Sequence, residues 1–155
     1  MGATKSYCFA AIAALFLASS ADASEWWYVT STTDKEAYFV DVQSLKSDNG
    51  KVVFWDYMIY DKISENVAGS KARLSLDCAS RKLTFLAIIN YSPAGVVLGS
   101  SGTQPAFDIA PDTIADGIRK FVCEASVKRT EYGSKVDTTP EDFAVRVQAV
   151  ATAPK

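Results

Sequence analysis

Apolar and polar side chains alternate with a period of two along much of this chain, which is the pattern of strands whose two faces meet different surroundings. The clearest case runs from Lys71 to Tyr91. Arg73, Ser75 and Asp77 alternate with Leu74, Leu76 and Cys78, Ala79-Ser80-Arg81 makes a turn, and Leu83 to Tyr91 returns as a strand apolar enough to be covered on both faces. Before this hairpin, Trp26 to Thr30 is rich in aromatic and β-branched residues and reads as a first strand. A turn at Ser31 to Lys35 leads to a second strand, Ala37 to Asp41. Asp41 to Leu45 is expected to bend into a short helical turn capped by the Asp41 carboxylate. Asp48-Asn49-Gly50 turns the chain, since Asn and Gly tolerate positive φ.

The longest predicted strand is Lys51 to Lys62. Val53, Trp55, Tyr57 and Ile59 fall on one face and Val52, Phe54, Asp56, Met58 and Tyr60 on the other, so both faces are largely apolar and the strand is expected to be central. Asp61 to Gly69 reads as a polar connection. After the hairpin, Ser92 to Gly95 fits a type II-like turn, and Val96 to Gly99 is a last short strand.

The period then changes. Ile114, Ile118, Phe121 and Val122 recur at helical spacing, with Asp112 or Thr113 available as N-cap and Cys123 at the end. Beyond Ser126 the chain is polar without periodicity until Thr139-Pro140-Glu141-Asp142, a helix-start pattern with Phe143, Val147 and Val150 on one face. The expected fold is α+β: an antiparallel meander of about six strands packed by a C-terminal helix, residues 24–125, followed by a polar tail, 126–155, with a candidate second helix.

The N-terminus adds a location. Lys5 precedes an apolar run, Tyr7 to Ala18, that is short of the about 20 residues a membrane-spanning helix needs. Ala21-Asp22-Ala23 follows, so residues 1–23 read as a secretory signal peptide with Ser24 the first mature residue and no transmembrane segment left after cleavage. Cleavage removes Lys5 and Asp22 together, and the net charge stays at −2. That weak acidic balance gives no electrostatic footprint for nucleic acid. Cleavage also removes Cys8, which leaves Cys78 and Cys123, and an even pair in an exported chain is most simply a disulfide.

The side-chain inventory excludes much chemistry. The chain has no histidine, so neither a Ser-His-Asp nor a Cys-His nucleophile can be built, nor a His-ligated zinc site. No phosphate-binding glycine motif and no dinucleotide fingerprint is present, and no metal or other cofactor is implied. Carboxylates are the remaining acid–base option. Asp56, between Trp55 and Tyr57, is the conspicuous one. It reads functionally as a carboxylate on an aromatic binding face, and structurally as one at a sheet surface or paired with a nearby Lys or Arg, which is the expectation adopted. Asp61, five residues along the same strand, falls on the opposite face. Arg73 and Arg81, on the polar side of the central hairpin, are the candidate binding residues.

Four blocks of sequence carry a family resemblance: Trp26-Trp27; Tyr38-Phe39-Val40-Asp41-Val42-Gln43-Ser44 followed by Val53-Phe54-Trp55; Leu76-Asp77-Cys78-Ala79-Ser80-Arg81; and Ile109-Ala110-Pro111-Asp112-Thr113 leading to Cys123. In this order and spacing they resemble the surface-adhesin protein E-like family of Gram-negative bacteria. The resemblance implies an antiparallel sheet packed by a C-terminal helix, a disulfide mapping onto Cys78 and Cys123, and a surface or periplasmic location, with binding of host matrix proteins proposed for the namesake. The expected function is that of an exported, non-enzymatic binding module of the cell envelope with a protein partner. The alternatives are a periplasmic small-ligand or enzyme-like protein using Asp56 and nearby aromatics, which a deep pocket there would favour, and an accessory subunit of an envelope assembly docking through its tail.

Overall fold

The computed structural model describes residues 23–143. Residues 1–22 of the expected signal peptide, Val147 and Val150 lie outside them. Eight strands form one antiparallel sheet: β1 (Trp26–Ser31), β2 (Ala37–Asp48), β3 (Lys51–Ser64), β4 (Val67–Asp77), β5 (Lys82–Tyr91), β6 (Val97–Ser101), β7 (Phe107–Asp108) and β8 (Ser134–Lys135). Their order across the sheet is β6-β5-β4-β3-β2-β1-β8, with β7 pairing beside β5. The meander and the central place of β3 agree with the sequence pattern. The two strands beyond the expected six are two residues each, too short to leave a periodic signal.

Several local expectations are corrected. Asp41 to Leu45 does not become helical, and β2 runs on to Asp48 with a register shift between Asp41 and Lys46. The Asp41 carboxylate does cap a turn, since its Oδ1 accepts from the Gln43 N–H at 3.1 Å and the Glu25 N–H at 2.9 Å. The Ser44 hydroxyl then donates to the Asp41 carbonyl and accepts from the Trp55 N–H. These bonds satisfy a bulge in the ladder, where the extra residues need partners outside it. The expected connection 61–69 is instead a tight hairpin between β3 and β4, in which Glu65 and Asn66 both adopt positive φ, 50° and 64°. That is the geometry of a twist-matched two-residue turn. At 92–95 the positive φ falls on Gly95, 74°, after the turn closed by the Gly95 N–H and the Ser92 carbonyl, so it is not the type II arrangement.

The helical segment is longer than its apolar stripe. α1 (Ile114–Arg119) is capped by Thr113, whose side chain accepts from the Asp116 N–H. It passes through a π-helical turn, Lys120–Glu124, into α2 (Ala125–Tyr132). Cys123 therefore lies inside the helical segment rather than at its end, and it is bonded to Cys78 at the β4–β5 turn. Gly133 then brings the chain back to the sheet. A Cβ there would lie 2.8 Å from the Tyr28 carbonyl oxygen and 2.9 Å from the Phe121 ring, closer than carbon atoms approach. The chain next pairs as β8 with Trp27 and Tyr28 of β1, and residues 140–143 begin a helix whose Asp142 N–H is accepted by the Thr139 hydroxyl.

The sheet is covered differently on its two sides. On the helix side Val40, Phe54, Ala72, Leu74, Leu76 and Leu83 pack against Ile109, Ile118 and Phe121. Each fully buried side chain of this size contributes about 1.5–3 kcal/mol. On the outer side a smaller cluster, Ala37, Phe39, Tyr57 and Val136, is joined by Trp26, Tyr28, Ile59 and Phe143. Among the described residues no helix is long and apolar enough to cross a membrane.

Candidate functional site

Period-two alternation sends neighbouring residues of β3 and β4 to opposite sides of the sheet, and it places two distinct features there. On the helix side, Asp56 and Met58 of β3 face the same way as Phe54. They open into a cleft of about 500 Å³ between the sheet and α1. Leu74, Leu83, Phe85, Ile88, Ile114 and Ile118 form its apolar part. Asp56, Tyr60, Ser70 and Asn90 gather at its polar part, where Ser70 donates to the Asn90 Oδ1 at 2.7 Å and shares a 3.3 Å hydrogen bond with the Tyr60 hydroxyl.

Asp56 is buried and accepts from the Ala72 N–H at 3.2 Å. It is not at the sheet surface, and among the described residues no cation pairs with it, so the sequence expectation is corrected. Burial in apolar surroundings pushes its carboxyl up to about 7, against the smaller lowering effect of backbone N–H groups. The Tyr38 phenol at the same cleft is pushed up as well, first by burial and then by the carboxylate of Glu36. Asp61 is not among the lining residues.

On the outer side Arg73 stands opposite Trp55 across the β3–β4 ladder, and Trp55 opposite Asp41 across β2–β3. Arg73 is exposed, and it borders a shallow groove with Gln43, Ser44, Lys46 and Trp55. One step along the same face, Lys71 Nζ lies 4.7 Å from the Tyr57 ring centre, 5.5 Å from Tyr91 and 5.7 Å from Trp26. These distances are within the about 6 Å reach of a cation–π contact. The alternation in each strand was legible. What was missing was the register that lines Lys71 up with aromatics from three other strands.

Arg81 is elsewhere. At the β4–β5 turn, with φ 55°, it donates from Nη2 to Asp116 Oδ1 at 2.9 Å. Asp116 on α1 is buried, and it also accepts from Arg119 Nε at 2.9 Å and lies 3.0 Å from Lys120 Nζ. This cluster holds its carboxyl well below the usual carboxylate range, the Arg119 hydrogen bond being the largest cause. The two arginines singled out by sequence are therefore not brought together: Arg73 is exposed on the outer face, and Arg81 ties the hairpin to the helix. Among the described residues no group of three His, Cys, Asp or Glu side chains is placed to hold a metal ion.

Comparison with known proteins agrees with this architecture. Residues 26–124 match the family described as surface-adhesin protein E. Crystal form II of Haemophilus influenzae protein E superposes with a TM-score of 0.50 at 17% identity, covering 64% of this chain and 87% of that one. Protein E from non-typeable Haemophilus influenzae gives 0.44 at 15% identity, covering 80% and 88%. No curated protein matches the chain. At such identities the first likeness speaks for the fold.

Proposed function

We propose, since the chain belongs to the surface-adhesin protein E family, that it is exported to the Gram-negative cell surface or periplasm and holds a protein partner with the outer face of its sheet. The family is one of adhesins, which bind rather than catalyse. The observation that carries the choice of face is the Arg73–Trp55 pair. Arg and Trp are the residue types that dominate binding energy at protein interfaces, and here they stand side by side with Arg73 exposed. The neighbouring Lys71 and its aromatic ring cluster extend the same surface toward Trp26 and Tyr91. The guanidinium of Arg81 is engaged by Asp116, so the contact role is assigned to Arg73.

Export is supported by the apolar run and Ala21-Asp22-Ala23, and a Cys78–Cys123 disulfide suits an oxidising compartment. Residues 24–125 are assigned as the adhesin-like unit, and α2, β8 and Phe143 as additions that pack back onto it. The test is capture from a panel of envelope and host matrix proteins. Arg73→Glu is expected to weaken capture at least about tenfold, as loss of one central interface residue does, while Asp56→Asn, on the other side of the sheet, leaves it unchanged. Equal capture by wild type and Arg73→Glu would rule out this face.

A further inference from the structure

The cleft over Asp56 has the features of a second, separate binding site. Its volume of about 500 Å³ is within the range of roughly 300–1,000 Å³ typical of small-molecule sites. Its lining is mostly aliphatic and aromatic, from β5 and α1, and Asp56, level with Ala72 and Ile88 in the ladder, has the polar side chains of Ser70 and Asn90 on the next inward-facing rung and Tyr60 beyond them. Among its lining residues Asp56 is the only one that carries a formal charge, and there is no Lys or Arg. The titratable groups that face Asp56 are the phenols of Tyr38 and Tyr60, and α1 presents Ile114, Ala115 and Ile118. Glu36 stands behind Tyr38, accepting from its hydroxyl at 3.3 Å.

A buried carboxylate without a cation is costly, and an anionic ligand would add to that cost. A ligand that brings a positive charge would offset it, and an ammonium has three donors to share among the acceptors gathered there. The described chain does not supply that charge. Ser24 and residues 136–141 at its two ends line pockets on the outer face, and Phe143 packs on Tyr28 and Phe39 of the outer cluster.

We propose that this cleft binds a small amphiphile with an apolar body and a protonated amine head, the ammonium set against the Asp56 carboxylate. The site lies on the opposite side of the sheet from Arg73, so it stands or falls independently of partner capture. Because burial holds the carboxyl near neutrality, ammonium binding draws the proton from Asp56, and affinity falls as acid restores it.

The test is calorimetric titration of the purified protein with three probes that share a chain length: octylamine, octanol and octanoate. At about pH 8, where Asp56 is mostly ionised, octylamine is expected to bind at least about tenfold more tightly than octanol, with octanoate weakest. Asp56→Asn should bring octylamine down to the octanol level and leave octanol within about twofold, since only the charged contact is lost. Ala115→Phe, which fills the cleft from α1, should abolish binding of both. If Asp56→Asn fails to fold, the Ala115→Phe result and the probe ranking still decide. Absence of saturable octylamine binding, octanoate binding as tightly as octylamine, or nuclear Overhauser contacts placing the chain's own terminal segments in the cleft would each overturn the proposal.

Discussion

Asp56 and Arg73 lie one step apart along the β3–β4 ladder and face opposite sides of the sheet. Asp56 pairs with Ala72 and accepts its N–H, whereas Arg73 pairs with Trp55. A buried acid and an exposed base thus share two neighbouring strands without meeting. The sheet separates the cleft under α1 from the outer face that carries Arg73 and Trp55, and the two can be tested apart.

The raised carboxyl of Asp56 sets a pH dependence. Its ordinary value of 3.8 rises to about 7 in the fold, so the folded state binds the proton more tightly than the unfolded chain. The folded state then loses stability as pH rises from about 4, and the loss levels off above about 7. The full effect is on the order of 4 kcal/mol. Asp56→Asn keeps an acceptor for the Ala72 N–H and carries no charge. In urea unfolding it is expected to match the wild type near pH 4 and to exceed it by about 2–4 kcal/mol near pH 8. A difference that does not change with pH would contradict this.

Two ion-paired carboxylates, one buried and one exposed, should differ in what they contribute. Asp116 is buried with Arg81, Arg119 and Lys120 around it, and removing it takes away the partner all three share, leaving Arg119 with Glu124. Asp116→Ala is expected to cost about 2–3 kcal/mol. Asp108 pairs with Lys82 at 2.7 Å, but both are exposed, and Asp108→Ala should stay within about 0.5 kcal/mol. Because the Asp116 carboxyl is depressed in the fold, its contribution is fully present above the ordinary value of 3.8 and is lost as pH falls below it. Chemical denaturation of both variants checks the contrast.

The Cys78–Cys123 bond closes a separation of 45 residues between the β4–β5 turn and the helical segment. The chain-entropy account assigns roughly 4 kcal/mol to a loop of that length. Replacing both cysteines by alanine should lower the urea midpoint accordingly. Peptide mapping without reductant should find the two joined, and ready alkylation of both thiols in the unfolded, unreduced protein would contradict the bond.

Ala21-Asp22-Ala23 is expected to direct cleavage before Ser24. The intact mass of the exported protein should correspond to a chain beginning there. A retained N-terminus or an added lipid mass would refute the processing.

What the sequence made legible follows from how local each signal is. The alternation around Phe54 and Trp55, and the apolar stripe of Ile118 and Phe121, showed the two sides of the sheet and the packing helix, because burial acts residue by residue. The bulge at Asp41, the turn at Glu65-Asn66 and the pairing of Ser134–Lys135 with β1 were not legible. They depend on backbone partners far away in sequence, such as Trp55 for Ser44 and Trp27 for Lys135. For the site, Asp56 stood out by its neighbours Trp55 and Tyr57. Its burial depends on the cleft it shares with Ile114 and Ile118 of α1, which no pattern within β3 reveals. Arg73 and Arg81 looked alike in the hairpin, and Asp116, 35 residues beyond Arg81, separates their roles.

The central claim is that a protein partner is held on the outer face around Trp55 and Arg73. Hydroxyl-radical footprinting of the bound and free protein tests it most directly, since it reads side chains rather than backbone. Bound partner is expected to protect Trp55 and Tyr91 on the outer face and to leave Phe107, at the cleft on the helix side, oxidised as in the free protein. Protection of Phe107 with Trp55 and Tyr91 unchanged would contradict the account.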